Sequence, residues 1–306
     1  MRSVIFSISL LLLASCGNEQ PENDAATTAE APAVSALQTK VDSIAKSVKA
    51  KIAVASINVE TGDTFYYNAT DHVPPQSTIK FPVAIMIMKQ VDSGKMSLDK
   101  PFTLLKDELN IGTNSTLVKD LKGATSMSVH KLLEYMTHVS DNISFCGFTR
   151  HLGGAKEIEK YIKSTGLNDI SVTPMEGHPY VDFNNLNGTW CTPQDMAKLM
   201  VKFYKGELMS KTSTDTLRSI MERTTGGTKR IKGLLPEGTV VAHKTGSSNT
   251  VDCKTLATND IGIVTLPNGQ HLAMAVYVHD ITGDMDYAES IIAAIAKAIY
   301  DDAIAK

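Results

Sequence analysis

Residues 76–90 read QSTIKFPVAIMIMKQ, a serine and a lysine three residues apart at the mouth of an apolar run. At helical spacing Ser77 and Lys80 share one face, with Cβ atoms roughly 5–6 Å apart. An amine that close to a hydroxyl, once burial strips its proton, activates the oxygen for attack on a carbonyl. A helix N-terminus also favours an anion developing beside it. Spacing alone does not single the pair out, because Ser43/Lys46, Ser97/Lys100 and Ser128/Lys131 repeat it. For those pairs a solvated helix face is the plain reading. Ser77 differs in its setting: Pro74-Pro75 precede it, an apolar helix follows, and no further charge occurs until Lys89.

Working outward, Leu37, Val41, Ile44 and Val48 recur at the period of an amphipathic helix. IAVASINV and TFYYN flank Glu60-Thr61-Gly62-Asp63 and read as a hairpin. From Thr78 to about residue 222 the patterns are mostly helical: FPVAIMIMKQV, SVHKLLEYMTHV, KEIEKYIKSTG and TPQDMAKLMVKFYKGEL. In the last of these Thr192 is a cap, Pro193 stands in the first turn and Asp195 follows three residues after the cap. TVVAHKTG and DIGIVTLPNGQHLAMAVYVHD give three more strands, the last two joined at Pro267-Asn268-Gly269. YAESIIAAIAKAIY closes the chain as a helix. This order predicts one sheet built from both ends of the chain, residues 36–76 and 223–306, with a helical domain over 77–222 inserted between them.

Arg2 followed by VIFSISLLLLA is a short basic region with an apolar core too short to span a bilayer, so residues 1–15 read as an export signal. Leu13-Ala14-Ser15-Cys16 resembles the lipobox of bacterial lipoproteins, which implies acylation of Cys16 and anchoring to a membrane on its periplasmic or outer face. Residues 16–35 are small, polar, acidic and proline-bearing, the composition of a tether. In an oxidising compartment the three remaining cysteines, Cys146, Cys191 and Cys253, permit at most one internal bridge, and there is no CxxC. The 306 residues carry a formal charge of −3, with no basic field for nucleic acid. Eight histidines form no HExxH or HxHxD, so neither a metal nor another cofactor is expected.

Two further motifs follow the Ser77/Lys80 pair. Ser140-Asp141-Asn142 closes one helical segment, and His243-Lys244-Thr245-Gly246 ends a strand; each occurs once. Either alone reads equally as a cap or a strand end. The ordered set Ser-x-x-Lys, Ser-Asp-Asn and Lys-Thr-Gly is that of serine acyl-transfer enzymes. From about residue 36 onward the chain resembles the serine β-lactamases of class A, and within them the PER- and VEB-like extended-spectrum subgroup, whose text ATNDIGIVTLPNG and GLLPEGTVVAHKTG are similar to. The resemblance implies an α/β (α+β) fold: a five-stranded antiparallel sheet flanked by helices, plus an all-helical domain, with the site between them.

The resemblance also implies roles. Ser77 is the nucleophile, and Lys80 and Glu176 share proton removal through a water, either standing as the acylation base. Glu176, on an Ω-loop over about residues 172–191, falls 17 residues before Pro193, where the family carries its deacylation base. Backbone N–H groups of Ser77 and Ser247 form the oxyanion hole. Ser140 returns a proton to the lactam nitrogen, and Asn142 binds the substrate's side-chain amide. Lys244, Thr245, Gly246 and Ser247 line the carboxylate site, supported by Arg230 with its fixed fork. The expected partners are small β-lactams acting on a periplasmic, membrane-anchored monomer.

Four departures from the family pattern accompany these matches. Cys146 stands where an Asn or Asp usually ties down the Ω-loop. Tyr180 replaces the Asn or His that positions the hydrolytic water, and Asn114 stands near where an aromatic commonly flanks the entrance. Gln76 occupies the place of a cysteine found in several carbapenem-hydrolysing members, and no Cys146–Cys191 bridge is expected. The competing readings are a peptidoglycan DD-peptidase, which has no use for Glu176, and a penicillin-binding lipoprotein that acylates without turnover.

Overall fold

The computed structural model describes residues 35–111, 115–182 and 188–306. The signal segment, Cys16, the tether up to residue 34 and Asn114 lie outside the described residues. Helix α1 (Ala36–Ser47), capped by Ser35, leads into the hairpin β1 (Lys51–Asn58) and β2 (Thr64–Tyr67), as the sequence predicts. A 3-10 turn at Gln76–Ile79 then carries Ser77, and α2 (Lys80–Asp92) begins only at the lysine.

The central segment is a helical layer. It comprises α3 (Lys106–Ile111), α4 (Thr116–Leu121), α5 (Val129–His138), α6 (Asn142–His151), α7 (Ala155–Ser164), α8 (Pro193–Tyr204) and α9 (Lys211–Glu222). Two small ribbons interrupt it: β3 (Pro101–Thr103) with β4 (Ser126–Ser128), and β5 (Ile170–Ser171) with β6 (Trp190–Cys191). The Thr192 hydroxyl accepts from the Asp195 amide at 3.3 Å, with Pro193 in the first turn of α8. The chain returns to the sheet through β7 (Val241–Ser247), β8 (Thr250–Val251), β9 (Lys254–Thr265) and β10 (His271–Thr282), and ends in α10 (Met285–Ile304).

The main sheet is antiparallel with strand order β2-β1-β10-β9-β7, and the two-residue β8 adds a sixth strand on β9. Five strands are therefore the principal path, as expected. The first hairpin joins the C-terminal strands through β1 and β10, Lys51 opposite His279 and Asn58 opposite Leu272.

Strand side chains alternate between faces, and both faces of this sheet are covered. On β10, Leu272, Met274, Val276 and Val278 pack with α1 and α10, whereas Ala273, Ala275 and Tyr277 face the helical layer. On β1, Ile52 and Val54 take the first face and Ala53, Ala55 and Ile57 the second. The alanines let α8 lie directly on β1 and β10. VAIMIM of α2 is the anchor the sequence suggests: Val83, Ala84, Ile85 and Ile87 are fully buried.

Candidate active site

The end of β7, the 3-10 turn and the α5–α6 junction meet at one place. Ser77 is half-buried, while the neighbouring Lys80 is wholly buried. Lys80 Nζ donates to the Ser140 carbonyl at 2.6 Å, to Asn142 Oδ1 at 2.6 Å and to Ser140 Oγ at 3.3 Å. From the opposite side Lys244 Nζ donates to the same Ser140 Oγ at 2.9 Å and to the Thr245 carbonyl at 2.8 Å. One hydroxyl thus stands between two buried amines. Burial pushes the Lys80 amine down to about 7, against the upward pull of Asp141. Lys244 is held well below the ordinary lysine value by burial and by the nearby Lys80 charge. Two ammonium groups sharing one hydroxyl in a low-dielectric site repel each other, so losing a proton from one is favourable.

Local backbone sets these positions. Asp141 caps α6 by accepting from the Ser144 amide at 2.7 Å, and its other oxygen accepts from the Ser115 hydroxyl. Ser140 and Gln76 both have positive φ, 59° and 49°. Such left-handed conformations are uncommon for residues other than glycine and cluster at functional sites. Asn259, fully buried on β9, donates to the carbonyls of Pro74 and Pro75 at 2.8 and 3.2 Å and so holds the approach to Ser77. Thr78 continues that grip, donating to the Pro75 carbonyl at 2.7 Å beside the buried Tyr277 hydroxyl at 3.2 Å. Neither role is evident from motifs. The one signal for Asn259 is a polar Asn-Asp pair inside an otherwise apolar strand.

Gly246 packs against the Ser77 backbone. A Cβ there would lie 2.7 Å from the Pro75 carbonyl oxygen and 3.1 Å from the Ser77 nitrogen. The absence of a side chain keeps the Ser77 amide beside the end of β7, next to Ser247.

Arg230 reaches the site from behind and is 5% exposed. Nη2 donates to Ser247 Oγ at 2.6 Å, Nη1 to the carbonyls of Gly246 and Asn259 at 3.0 and 2.8 Å, and Nε to Glu289 at 2.9 Å. Its contact with the cluster therefore runs through Ser247.

Glu176 sits differently. Its loop is pinched by a bridge between Pro174 and Val181, and the Met175 amide donates to the Tyr180 carbonyl at 2.7 Å. Glu176 is exposed at the tip, and the oxygens that hold the Lys80 amine come from Ser140 and Asn142. The structure brings together Ser77, Lys80, Ser140, Asn142 and Lys244 to Ser247, and Glu176 is exposed on its loop. Of the departures, Cys146 and Cys191 are buried free thiols that burial pushes up to about 12, and Cys253 is an exposed free thiol. Among the described residues no group of three or more His, Cys, Asp or Glu is placed to hold a metal ion.

The sequence profile of the Beta-lactamase enzyme family matches residues 36–303. β-Lactamase VEB-1 of Pseudomonas aeruginosa is 34% identical, over 87% of this chain and 89% of its own. The extended-spectrum β-lactamase PER-1 of the same organism is 34% identical, over 90% and 88%. The crystal structure of a β-lactamase from Chitinophaga pinensis superposes with a TM-score of 0.82 at 37% identity, covering 87% of this chain and 99% of that one. With the shared sheet and helical layer, and two buried lysines meeting at the Ser140 hydroxyl, the chain belongs to the β-lactamase enzyme family, as a class A serine hydrolase.

Proposed function

We propose that Ser77 opens the β-lactam ring and that its ester is hydrolysed with Glu176 as base. The observation that carries this reading is the Ser140 hydroxyl, 3.3 Å from Lys80 Nζ and 2.9 Å from Lys244 Nζ. The neutral Lys80 amine takes the Ser77 proton as Oγ attacks the carbonyl carbon. The amide C–N bond then breaks, the leaving nitrogen takes the Ser140 proton, and Lys80 returns one to Ser140. The oxyanion is held by the amides of Ser77 and Ser247. Lys244, Thr245 and Ser247, braced by Arg230, receive the substrate carboxylate, and Asn142 the side-chain amide. In the second step Glu176 takes a proton from water, whose oxygen attacks the ester carbon, and the C–O bond breaks as Ser77 Oγ receives that proton back.

Two finer readings go with it. The likeness to the extended-spectrum β-lactamase PER-1 supports an extended spectrum of substrates, in which we place cephalosporins. The run Leu13-Ala14-Ser15-Cys16 supports a lipid anchor on Cys16 and a periplasmic site of action. A chromogenic cephalosporin followed by colour and intact mass tests the main reading. Many turnovers per enzyme, and no adduct on Ser77→Ala, are expected; an adduct on that variant would reassign the nucleophile. For the anchor, lipid labelling is expected in the wild type and lost in Cys16→Ala.

A further inference from the structure

The departures at Cys146 and Tyr180 raise the question of what holds the Glu176 loop. Cys146 offers a thiol where a stronger hydrogen-bonding group would tie the loop, and it stays protonated. Tyr180, four residues beyond Glu176, is 5% exposed although its loop neighbours from Met175 to Pro179 are exposed. Its hydroxyl lies 3.5 Å from Glu108 Oε1. Glu108 is fully buried and accepts from Arg150 Nε at 2.6 Å through Oε1 and from the Leu105 amide at 2.7 Å through Oε2. Arg150 also donates to the Thr103 carbonyl at 3.1 Å, which fixes the guanidinium between α6 and the β3 ribbon. Gly147 of α6 lets the Glu108 segment pack closely, since a Cβ there would meet Leu104 Cδ2 at 2.8 Å and the Phe102 ring at 3.1 Å. A second tie lies one residue earlier, where the Ala155 amide donates to the Pro179 carbonyl at 2.9 Å.

From this seat we infer that Glu108 and Arg150 are positioning residues for deacylation: through Tyr180 they set the loop that presents Glu176. The inference rests on the assignment of Glu176 as the base. A buried carboxylate with a fixed guanidinium is a rigid partner, since withdrawing the half-buried Arg150 would leave the fully buried Glu108 charge unpaired. Tyr180 closes the hairpin with its backbone, at the Met175 amide, and seats it with its ring, so a shift of the ring moves the turn that holds Glu176. Ser140 and Asn142, not Glu108 or Tyr180, supply the oxygens to which Lys80 Nζ donates at 2.6 Å, so acylation is expected to change little.

Steady-state kinetics on Tyr180→Phe, Tyr180→Ala and Glu108→Gln, with Glu176→Gln as reference, separate the steps. A slower deacylation lowers kcat and KM together and leaves kcat/KM unchanged, because kcat/KM ends with acylation. A misplacement of about 1 Å costs on the order of 100-fold, so kcat is expected to fall ~100-fold in Tyr180→Ala and ~10-fold in Glu108→Gln. In each, kcat/KM stays within about twofold and the acyl adduct accumulates in the mass spectrum. A merely structural loss would lower kcat/KM with the fraction of folded enzyme and leave KM alone. That pattern, or an unchanged kcat, overturns the inference. If Glu108→Gln fails to fold, the two Tyr180 variants decide it. Wild-type kcat in Tyr180→Ala beside a trapped Glu176→Gln adduct sinks the anchor alone, and turnover by Glu176→Gln sinks the base and the anchor together.

Discussion

Lys80 is the residue on which the proposed acylation turns. Burial lowers its amine to about 7, so its neutral fraction grows as pH rises through that value. Acylation is expected to climb about tenfold per unit below pH 7 and to level above it, a base-limited profile readable as kcat/KM against pH. A profile flat from pH 5 to 8 would remove Lys80 as the base. Gly246 makes a steric prediction: Gly246→Ala places a methyl 2.7 Å from the Pro75 carbonyl, and kcat/KM should fall on the order of 100-fold. Residues that repeat a motif in order, Ser77, Lys80, Ser140 and Lys244, were legible in the sequence. Arg230 was legible as a residue but not in its mode, because its contact with Ser247 depends on strand register. Asn259 and Thr78 act through backbone carbonyls of Pro74 and Pro75, and such contacts leave no pattern in side-chain order.

Among elements, the long periodic ones were readable and the short ones were not. The caps illustrate the first case. Thr192 accepts from the Asp195 amide as its spacing predicts, and Thr192→Ala should cost about 1 kcal/mol. For a domain of this size that is roughly 2–4 °C in melting temperature, with acylation of Ser77 unchanged; no shift would mean the cap is idle. The ribbons of two or three residues at β3/β4, β5/β6 and β8 carry too few side chains to show a period. The 3-10 turn at Gln76–Ile79 escaped for the same reason. It matters because the half-buried Ser77 precedes α2, while Lys80 opens the helix proper.

Over the whole molecule, both faces of the sheet are covered, and the β1/β10 pairing makes the chain's two ends interdependent. The near-continuous apolar text of AVASI and LAMAVYV reflects that double burial. Ala275 is the size-limited point where the sheet faces the helical layer, so Ala275→Leu should cost ~1–3 kcal/mol by overpacking, read by denaturant unfolding. The return of the chain to its first hairpin was legible because strand patterns resume only after residue 222. Glu176 was located by its register before Pro193, but its exposure on a pinched turn was not legible, because an exposed turn has no apolar period. The most direct test of two steps in one site is the intact mass of Glu176→Gln after mixing with a cephalosporin. The account predicts that an acyl adduct on Ser77 forms at near the wild-type rate and persists. Undiminished turnover with no adduct would contradict it.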